Sequence, residues 1–231
     1  MSEWVIPFEE YLERAQLNLK TFQDYLVLPS RVRGIKKIIP LRTLRQIDCV
    51  HNMKTKFLLK IIQQIKTLDG LKSPFSHSHI DIVKIDPNQV KVGQKFVYRE
   101  KYINMIESLP RVFHEFAIGS GFSDLGAFII FGKDKSGHQC LSYYIPPMVE
   151  KHGNELLTMD GFHRNFLTRQ MGSTINTVII KNVNIPFPCS PHHWNETQVI
   201  SIEKRPENIK ERYFDLNKNL FRDLKYLGID G

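Results

Sequence analysis

The stretch that decides the fold is LLTMDGFHRNFLTRQMGSTINTVII, residues 156–180. An apolar run leads into Asp160-Gly161, which predicts a strand that ends at a tight turn. The apolar residues of 162–171 recur at a spacing of three to four, which predicts an amphipathic helix. The β-branched run over 174–180 predicts the next strand. The chain therefore passes from a strand through a glycine turn into a helix, and from there into another strand.

This turn collects groups that suit an anion. The N–H groups in the first turn of a helix have no intrahelical acceptors, and the helix dipole favours negative charge there. His163 and Arg164 lie in the same turn, and an arginine can clamp a phosphate or carboxylate through two hydrogen bonds. Asp160 can accept a proton from a hydroxyl or hold a divalent metal. These are the groups that phosphoryl transfer needs. The alternative is that Asp160 only caps the helix and that His163 and Arg164 are surface residues.

The remaining patterns predict a mixed α/β protein. Helices are expected over 8–27, 41–67, 206–227 and, with an interruption at Pro110, 99–118. Further strands are expected over 80–85, 127–131, 139–145, 155–159 and 198–202, and the glycine turn GKDKSG between 127–131 and 139–145 predicts a hairpin. The composition suggests three regions: a basic helical region over 1–76, a domain over 77–205 that holds the turn, and a C-terminal helix over 206–231 packed on the core.

Positive charge is concentrated near the N-terminus. The net charge is +8, and residues 31–66 carry ten Lys and Arg against the single acid Asp48. Such a concentration is typical of proteins that contact a phosphate backbone, whereas the alternative is a solvated helix face. The residues that we expect to contact nucleic acid are Arg31, Arg33, Lys36, Lys37, Arg42 and Arg45.

Other classes of protein are not indicated. Apolar runs do not approach the roughly 18–20 residues that cross a bilayer, and the acidic N-terminus does not resemble an export signal. The three cysteines are far apart and odd in number, which favours neither a disulfide framework nor a zinc site. We therefore expect a cytoplasmic protein without a membrane partner. Trp194, in a proline-rich loop, is expected either to stack on a base or to be buried under the loop.

The order strand, DGFHR, helix, glycine and strand resembles the ParB/sulfiredoxin-like superfamily. The segment DGFHRNFLTRQMGSTINTVIIKNV, residues 160–183, carries the resemblance in detail, and VKIDP (83–87) and AFIIF (127–131) fit the upstream half of that fold more loosely. The resemblance covers 80–183 in outline. It implies a small mixed sheet with helices, in which the turn binds nucleotide phosphates in the nucleotide-binding members.

The branches of this superfamily imply different activities. Sulfiredoxins place a reactive cysteine in the turn, and because Phe162 occupies that position here, repair of sulfinic acids is not expected. Partition-type clamps carry a GERR turn and a helix-turn-helix downstream, whereas this chain continues with PFPCSPHHWNETQ. The free serine kinases carry a D-G-H-[HT]-R turn, which matches except at Phe162. They also need an upstream acid, for which Glu100 or Glu115 is the candidate.

The hypothesis that follows is a nucleotide-binding protein that performs phosphoryl transfer or nucleotide hydrolysis with Mg²⁺ and ATP, ADP or CTP. Asp160 would be the base or metal ligand, Gly161 and the amides of Phe162, His163 and Arg164 would form the anion cradle, and the Arg164 and His163 side chains would contact phosphate. A second hypothesis is a DNA-binding ParB-like protein with a nuclease or nucleotide-switch site. A third is a non-catalytic interaction module. The oligomeric state is not predicted.

Overall fold

The structure, a computed structural model, describes residues 4–26, 34–103 and 126–229. It is a mixed α/β protein, as the sequence predicted. The α-helices with described bounds are α1 (Phe8–Arg14), α2 (Leu19–Asp24), α3 (Thr55–Gln63) and α4 (Phe162–Gln170). Residues 99–103 are also helical. Short 3-10 helices cover Leu41–Thr43, Pro87–Gln89, Trp194–Glu196, Ile202–Lys204, Ile209–Arg212, Lys218–Leu220 and Leu224–Leu227.

The strands follow the chain as β1 (Ile6–Pro7), β2 (Lys37–Ile38), β3 (Gln46–Asn52), β4 (His79–Ile85), β5 (Val90–Lys91), β6 (Phe96–Tyr98), β7 (Phe128–Lys133), β8 (Gln139–Tyr144), β9 (Met148–His152), β10 (Glu155–Asp160), β11 (Ile175–Lys181) and β12 (Gln198–Ile200). No helix in the described ranges combines the length and the apolar character needed to cross a bilayer.

The described residues form two compact units. The N-terminal unit contains those within 1–76, 126–145 and 222–231, and the C-terminal unit contains those within 77–125 and 146–221. This division differs from the predicted one, because the β7–β8 hairpin pairs with β2 and β3 instead of belonging with the domain of the turn. Residues 206–229 are likewise divided between the units.

The N-terminal unit is a sheet with the strand order β1-β2-β8-β7-β3 and helices packed by aromatic contacts. Phe22 and Phe57 meet edge to face at 5.5 Å between ring centroids, and both side chains are fully buried. The hydroxyl groups of Tyr11 and Tyr143 lie 2.7 Å apart in the same core. Burial of these rings therefore holds the helices to the sheet.

The C-terminal unit is a sheet with the strand order β4-β11-β9-β10-β5, and a small parallel pair, β6 and β12, lies outside it. Strands β9 and β10 form an antiparallel hairpin, and α4 connects β10 to β11, which runs parallel to β9. The sequence analysis did not predict β9. Strand β9 contains the polar residues Glu150 and Lys151, so its sequence lacks the apolar pattern expected of a strand that lies inside a sheet.

The long helix predicted over 41–67 is wrong. The segment contains strand β3, and only Thr55–Gln63 is α-helical. Strand β3 pairs along its length with β7, so the backbone groups of this segment are satisfied by a distant partner instead of by a helix. The predicted helix over 8–27 is interrupted at Gln16, which has a left-handed φ of 52°.

The closing helix predicted over 206–227 is also wrong. Asn208, Asn217 and Asp223 accept hydrogen bonds from the N–H groups two or three residues ahead, and each starts a short 3-10 helix instead of a continuous α-helix. Such local bonds compete with helix propagation. Of the predicted helix 99–118, residues beyond 103 lie outside the described ranges.

Candidate functional site

The turn after β10 has the geometry that the sequence predicted. Strand β10 ends at Asp160, and α4 begins at Phe162. Gly161 between them has a φ of 76°, a left-handed conformation that favours glycine. A Cβ atom at this position would lie 2.6 Å from Cβ and 2.7 Å from Cα of Pro147. The backbone conformation and the approach of Pro147 therefore both require glycine here.

The Asp160 carboxylate is buried and paired within the turn. Its exposed fraction is 5%, and Oδ2 accepts a hydrogen bond of 3.2 Å from Nη2 of Arg164, one helical turn away. A buried carboxylate needs such a partner, because burial without one is costly. Arg164 thus lies beside the carboxylate that is predicted to be the base or the metal ligand.

The imidazole of His163 faces the backbone of β6. Its Nε2 accepts a hydrogen bond of 3.2 Å from the N–H of Tyr98, and the two rings stack with centroids 5.8 Å apart. Burial, together with the nearby positive charge of Lys101, lowers the pKa of His163 to about 4. The ring is therefore neutral at pH 7. Because Nε2 is an acceptor, the proton lies on Nδ1, which is the ring atom able to donate to a ligand.

Phe162 contributes its side chain to the core. The ring stacks on Trp194 with a centroid distance of 5.2 Å and an interplanar angle of 17°, in a cluster that also contains Val92, Val97 and Phe166. Only its backbone N–H can belong to the predicted anion cradle. Trp194 is 5% exposed, and its Nε1–H donates to the carbonyl of Pro87 at 2.9 Å. Of the two alternatives for Trp194, the structure therefore has the buried one.

The sequence analysis missed Asn165. This residue lies one turn into α4 and has no exposed surface, yet neither polar atom of its amide has a hydrogen-bond partner within the described ranges. Buried amides without partners are uncommon and call for an explanation, such as an ordered water or an ion. The signal in the sequence is a polar residue directly beside the apolar position Phe166.

Of the two candidate upstream acids, Glu100 is bonded to the loop before Ile202 and not to a residue of the turn. Glu100 accepts hydrogen bonds from Ser201 Oγ at 2.9 Å and from the N–H of Ile202 at 2.8 Å. The N–H groups of Glu100 itself and of Ile202 lower the pKa of this carboxyl group. Glu100 therefore holds a loop in place. Glu115 lies outside the described residues.

The predicted nucleic-acid residues are only partly grouped. Lys37, Arg42 and Arg45 line a cavity of about 210 Å³ in the N-terminal unit, together with Lys135 and Trp4. The cavity also contains Asp134, which forms an ion pair with Lys37 that raises the pKa of Lys37 and lowers that of Asp134. Lys36 is exposed and does not line the cavity. Arg31 and Arg33 lie outside the described residues.

Comparisons with known proteins do not identify this arrangement. No protein-family model matches the chain, and no curated protein or solved structure shows significant similarity to it. The turn is thus defined by its own geometry: a strand that ends in a buried carboxylate, an obligatory glycine and a helix with a buried amide in its second turn.

Proposed function

We propose that this chain binds the phosphate groups of a nucleotide at the turn Asp160–Arg164 and carries out phosphoryl transfer or nucleotide hydrolysis there. The observation that carries the proposal is the buried carboxylate of Asp160 directly before a glycine-initiated helix. The resemblance to ParB/sulfiredoxin-like proteins points to the same turn.

The amides of Phe162, His163 and Arg164 would hold the phosphate. They lie at the N-terminal end of α4, where N–H groups have no intrahelical acceptor and the dipole favours an anion. The neutral ring of His163 would add the Nδ1–H donor. This arrangement requires no rebuilding of the turn.

Arg164 would couple the binding of the phosphate to proton transfer by Asp160. Its guanidinium now pairs with Asp160, and a phosphate at the helix N-terminus would compete for it, because bidentate arginine–phosphate pairs are strong. Movement of Arg164 to the phosphate would break this ion pair, and the carboxylate of Asp160 would then accept a proton from an attacking hydroxyl group or water.

A magnesium ion at this turn would need ligands from the nucleotide phosphates in addition to Asp160. Within the described ranges no group of three or more His, Cys, Asp and Glu side chains is arranged to hold a metal ion. Mg²⁺ is, however, commonly held by one or two carboxylates together with substrate phosphates and water. Asp160 would be that carboxylate, and the ion would neutralise charge on the phosphates of ATP, ADP or CTP.

The test is a thermal-shift panel combined with Asp160→Asn. At about 100 times Kd, a bound nucleotide with Mg²⁺ should raise Tm by roughly 5 °C or more. Asp160→Asn keeps the shape of the side chain, and turnover should fall by about 100-fold or more. The variant should retain most of the thermal shift if Asp160 is the base, and lose most of the Mg²⁺-dependent part of the shift if Asp160 is the metal ligand. Glu203→Gln, an exposed acid away from the turn, should change neither quantity. Absence of any shift with ATP, ADP and CTP would overturn the proposal.

A second candidate function is DNA binding by the N-terminal unit. Within the described residues, the cavity described above gathers four cations from separate parts of the chain against a single acid. Nucleic-acid backbones are bound by such groups. In this alternative the turn would be a nuclease site or a nucleotide-controlled switch.

The DNA hypothesis is tested with two triple variants of equal charge change. Replacing Arg42, Arg45 and Lys135 by alanine should weaken duplex binding at least tenfold at low salt and reduce the slope of log K against log salt by roughly 2–3. The control replaces the exposed residues Lys20, Lys56 and Lys66. Equal losses in both variants would show that duplex binding depends only on the net positive charge. That result would contradict a binding site at the cavity.

A further inference from the structure

A second cavity lies in the C-terminal unit, at the other end of the strands from the turn. Its volume is about 420 Å³, and its lining residues are Lys151, His152, Gly153, Lys181, Asn182 and Val183. On β9, Met148 pairs with Asp160, whereas His152 pairs with Glu155. His152 is four positions along the strand from Met148, which separates the cavity from the turn by about 13 Å. The two sites are therefore distinct.

The lining of this cavity favours an anion. Among the residues that the structure describes, the lining contains two lysines and a histidine but no acidic residue. Lys181 forms an ion pair with Asp81, and both side chains of that pair are close to half exposed. Such an exposed pair contributes little and is easily exchanged for another anion. Lys151 is exposed on the neighbouring strand.

A buried carboxylate orients the histidine. Glu150 has no exposed surface, and one of its oxygens lies 2.7 Å from Nε2 of His152. Since Glu150 occupies Nε2, Nδ1 is the ring nitrogen left for a ligand. Carboxylate–histidine pairs of this kind fix the orientation of a functional imidazole.

The backbone beside the cavity is held in an uncommon conformation. Asn182 has a left-handed φ of 58°, which few residues other than glycine adopt. Ser78 Oγ donates to the carbonyl of Asn182 at 3.2 Å and stabilises this bend. Asn182 is exposed at the rim, where its amide adds a further N–H donor. Strained backbone of this kind often accompanies function.

We propose that this cavity binds a small ligand through an oxyanion, with Lys151 and Lys181, which lie next to each other on the paired strands β9 and β11, as countercharges. His152, oriented by Glu150, lies in the same lining. A phosphate monoester suits it best, because two lysines match a doubly charged group better than a single carboxylate. The volume accommodates more than a bare phosphate ion. The proposal does not depend on the function of the turn.

The test uses inorganic phosphate and acetate as separate probes, titrated into the ¹⁵N-labelled protein. Phosphate should shift the amide signals of residues 151–153 and 181–183 with saturation in the millimolar range, and acetate should bind at least severalfold more weakly. Equal affinity for both probes would make the ligand class a carboxylate and contradict the phosphate assignment. Shifts confined to 161–165, or no saturation at tens of millimolar phosphate, would overturn the site.

Variants locate the site and separate it from the turn. Lys151→Ala with Lys181→Ala should weaken phosphate binding at least tenfold, whereas the exposed pair Lys204→Ala with Lys210→Ala should leave it unchanged. His152→Gln can still donate to Glu150 and should weaken binding severalfold without a change in Tm. Any response of the turn to nucleotides should persist in the double variant, so failure of one proposal leaves the other intact. Equal losses in both lysine pairs would contradict the proposal.

Discussion

Replacing Gly161 by alanine is expected to lower the free energy of unfolding of the C-terminal unit by about 2–5 kcal/mol. A left-handed conformation costs a residue with a Cβ atom roughly 1–2 kcal/mol, and overpacking typically adds about 1–3 kcal/mol. Both costs apply here, because φ is 76° and the new Cβ would meet Pro147 at 2.6 Å. Urea unfolding followed by circular dichroism measures the change.

Gly172→Ala is the matched control for this prediction. Gly172 also has a left-handed φ, of 59°, but beyond its neighbours in the chain no atom of the described residues lies within 4 Å of a Cβ built at this position. It should therefore show only the conformational cost of roughly 1–2 kcal/mol. If both variants lost the same stability, the close approach of Pro147 would not constrain the turn. Gly161→Ala should also weaken any nucleotide response, since relief of the contact moves the start of α4.

Replacing Trp194 by alanine is expected to cost about 3–5 kcal/mol, the usual range for a large aromatic residue in a core. Its ring stacks on Phe162, contacts Phe166, and ties the loop to Pro87 through Nε1–H. The loss removes the support of the buried side of α4. Chemical denaturation monitored by circular dichroism measures it.

Trp194→Phe separates packing from hydrogen bonding. It keeps an aromatic ring against Phe162 but loses the donor to the Pro87 carbonyl, so we expect a smaller loss of roughly 1–3 kcal/mol. A loss below about 1 kcal/mol for Trp194→Ala would be inconsistent with a core position. It would return Trp194 to the alternative role of a residue that stacks on a ligand.

The sequence correctly predicted the elements that are formed by residues close together in the chain. Asp160-Gly161 and the periodicity that follows predicted the turn and α4, and the glycine turn between 127–131 and 139–145 predicted the β7–β8 hairpin. These features depend on neighbours in sequence: a glycine that permits an unusual φ, an apolar stripe, and a short connection. The resemblance to ParB/sulfiredoxin-like proteins stays a prediction.

Elements that depend on distant partners were mispredicted or missed. Strand β3 is a strand because β7 satisfies its backbone, and β9 tolerates a polar sequence because strands flank it on both sides. In the C-terminal segment, Asn208 and Asn217 form local bonds that outweigh an apolar spacing compatible with a helix. Periodicity reports which residues can share a face, but not which backbone partner is present.

The same distinction applies to the sites. The sequence by itself determined that an acid, a glycine and a short helix follow one another, because these are adjacent residues with strong local preferences. Only the tertiary structure decided that Pro147 closes over Gly161, that Nε2 of His163 accepts from Tyr98, and that Phe162 is buried under Trp194. It also brought Lys151 and Lys181 to one cavity. Contacts between residues far apart in the chain depend on how strands pair and on which surfaces exclude water, and short-range pattern does not encode either.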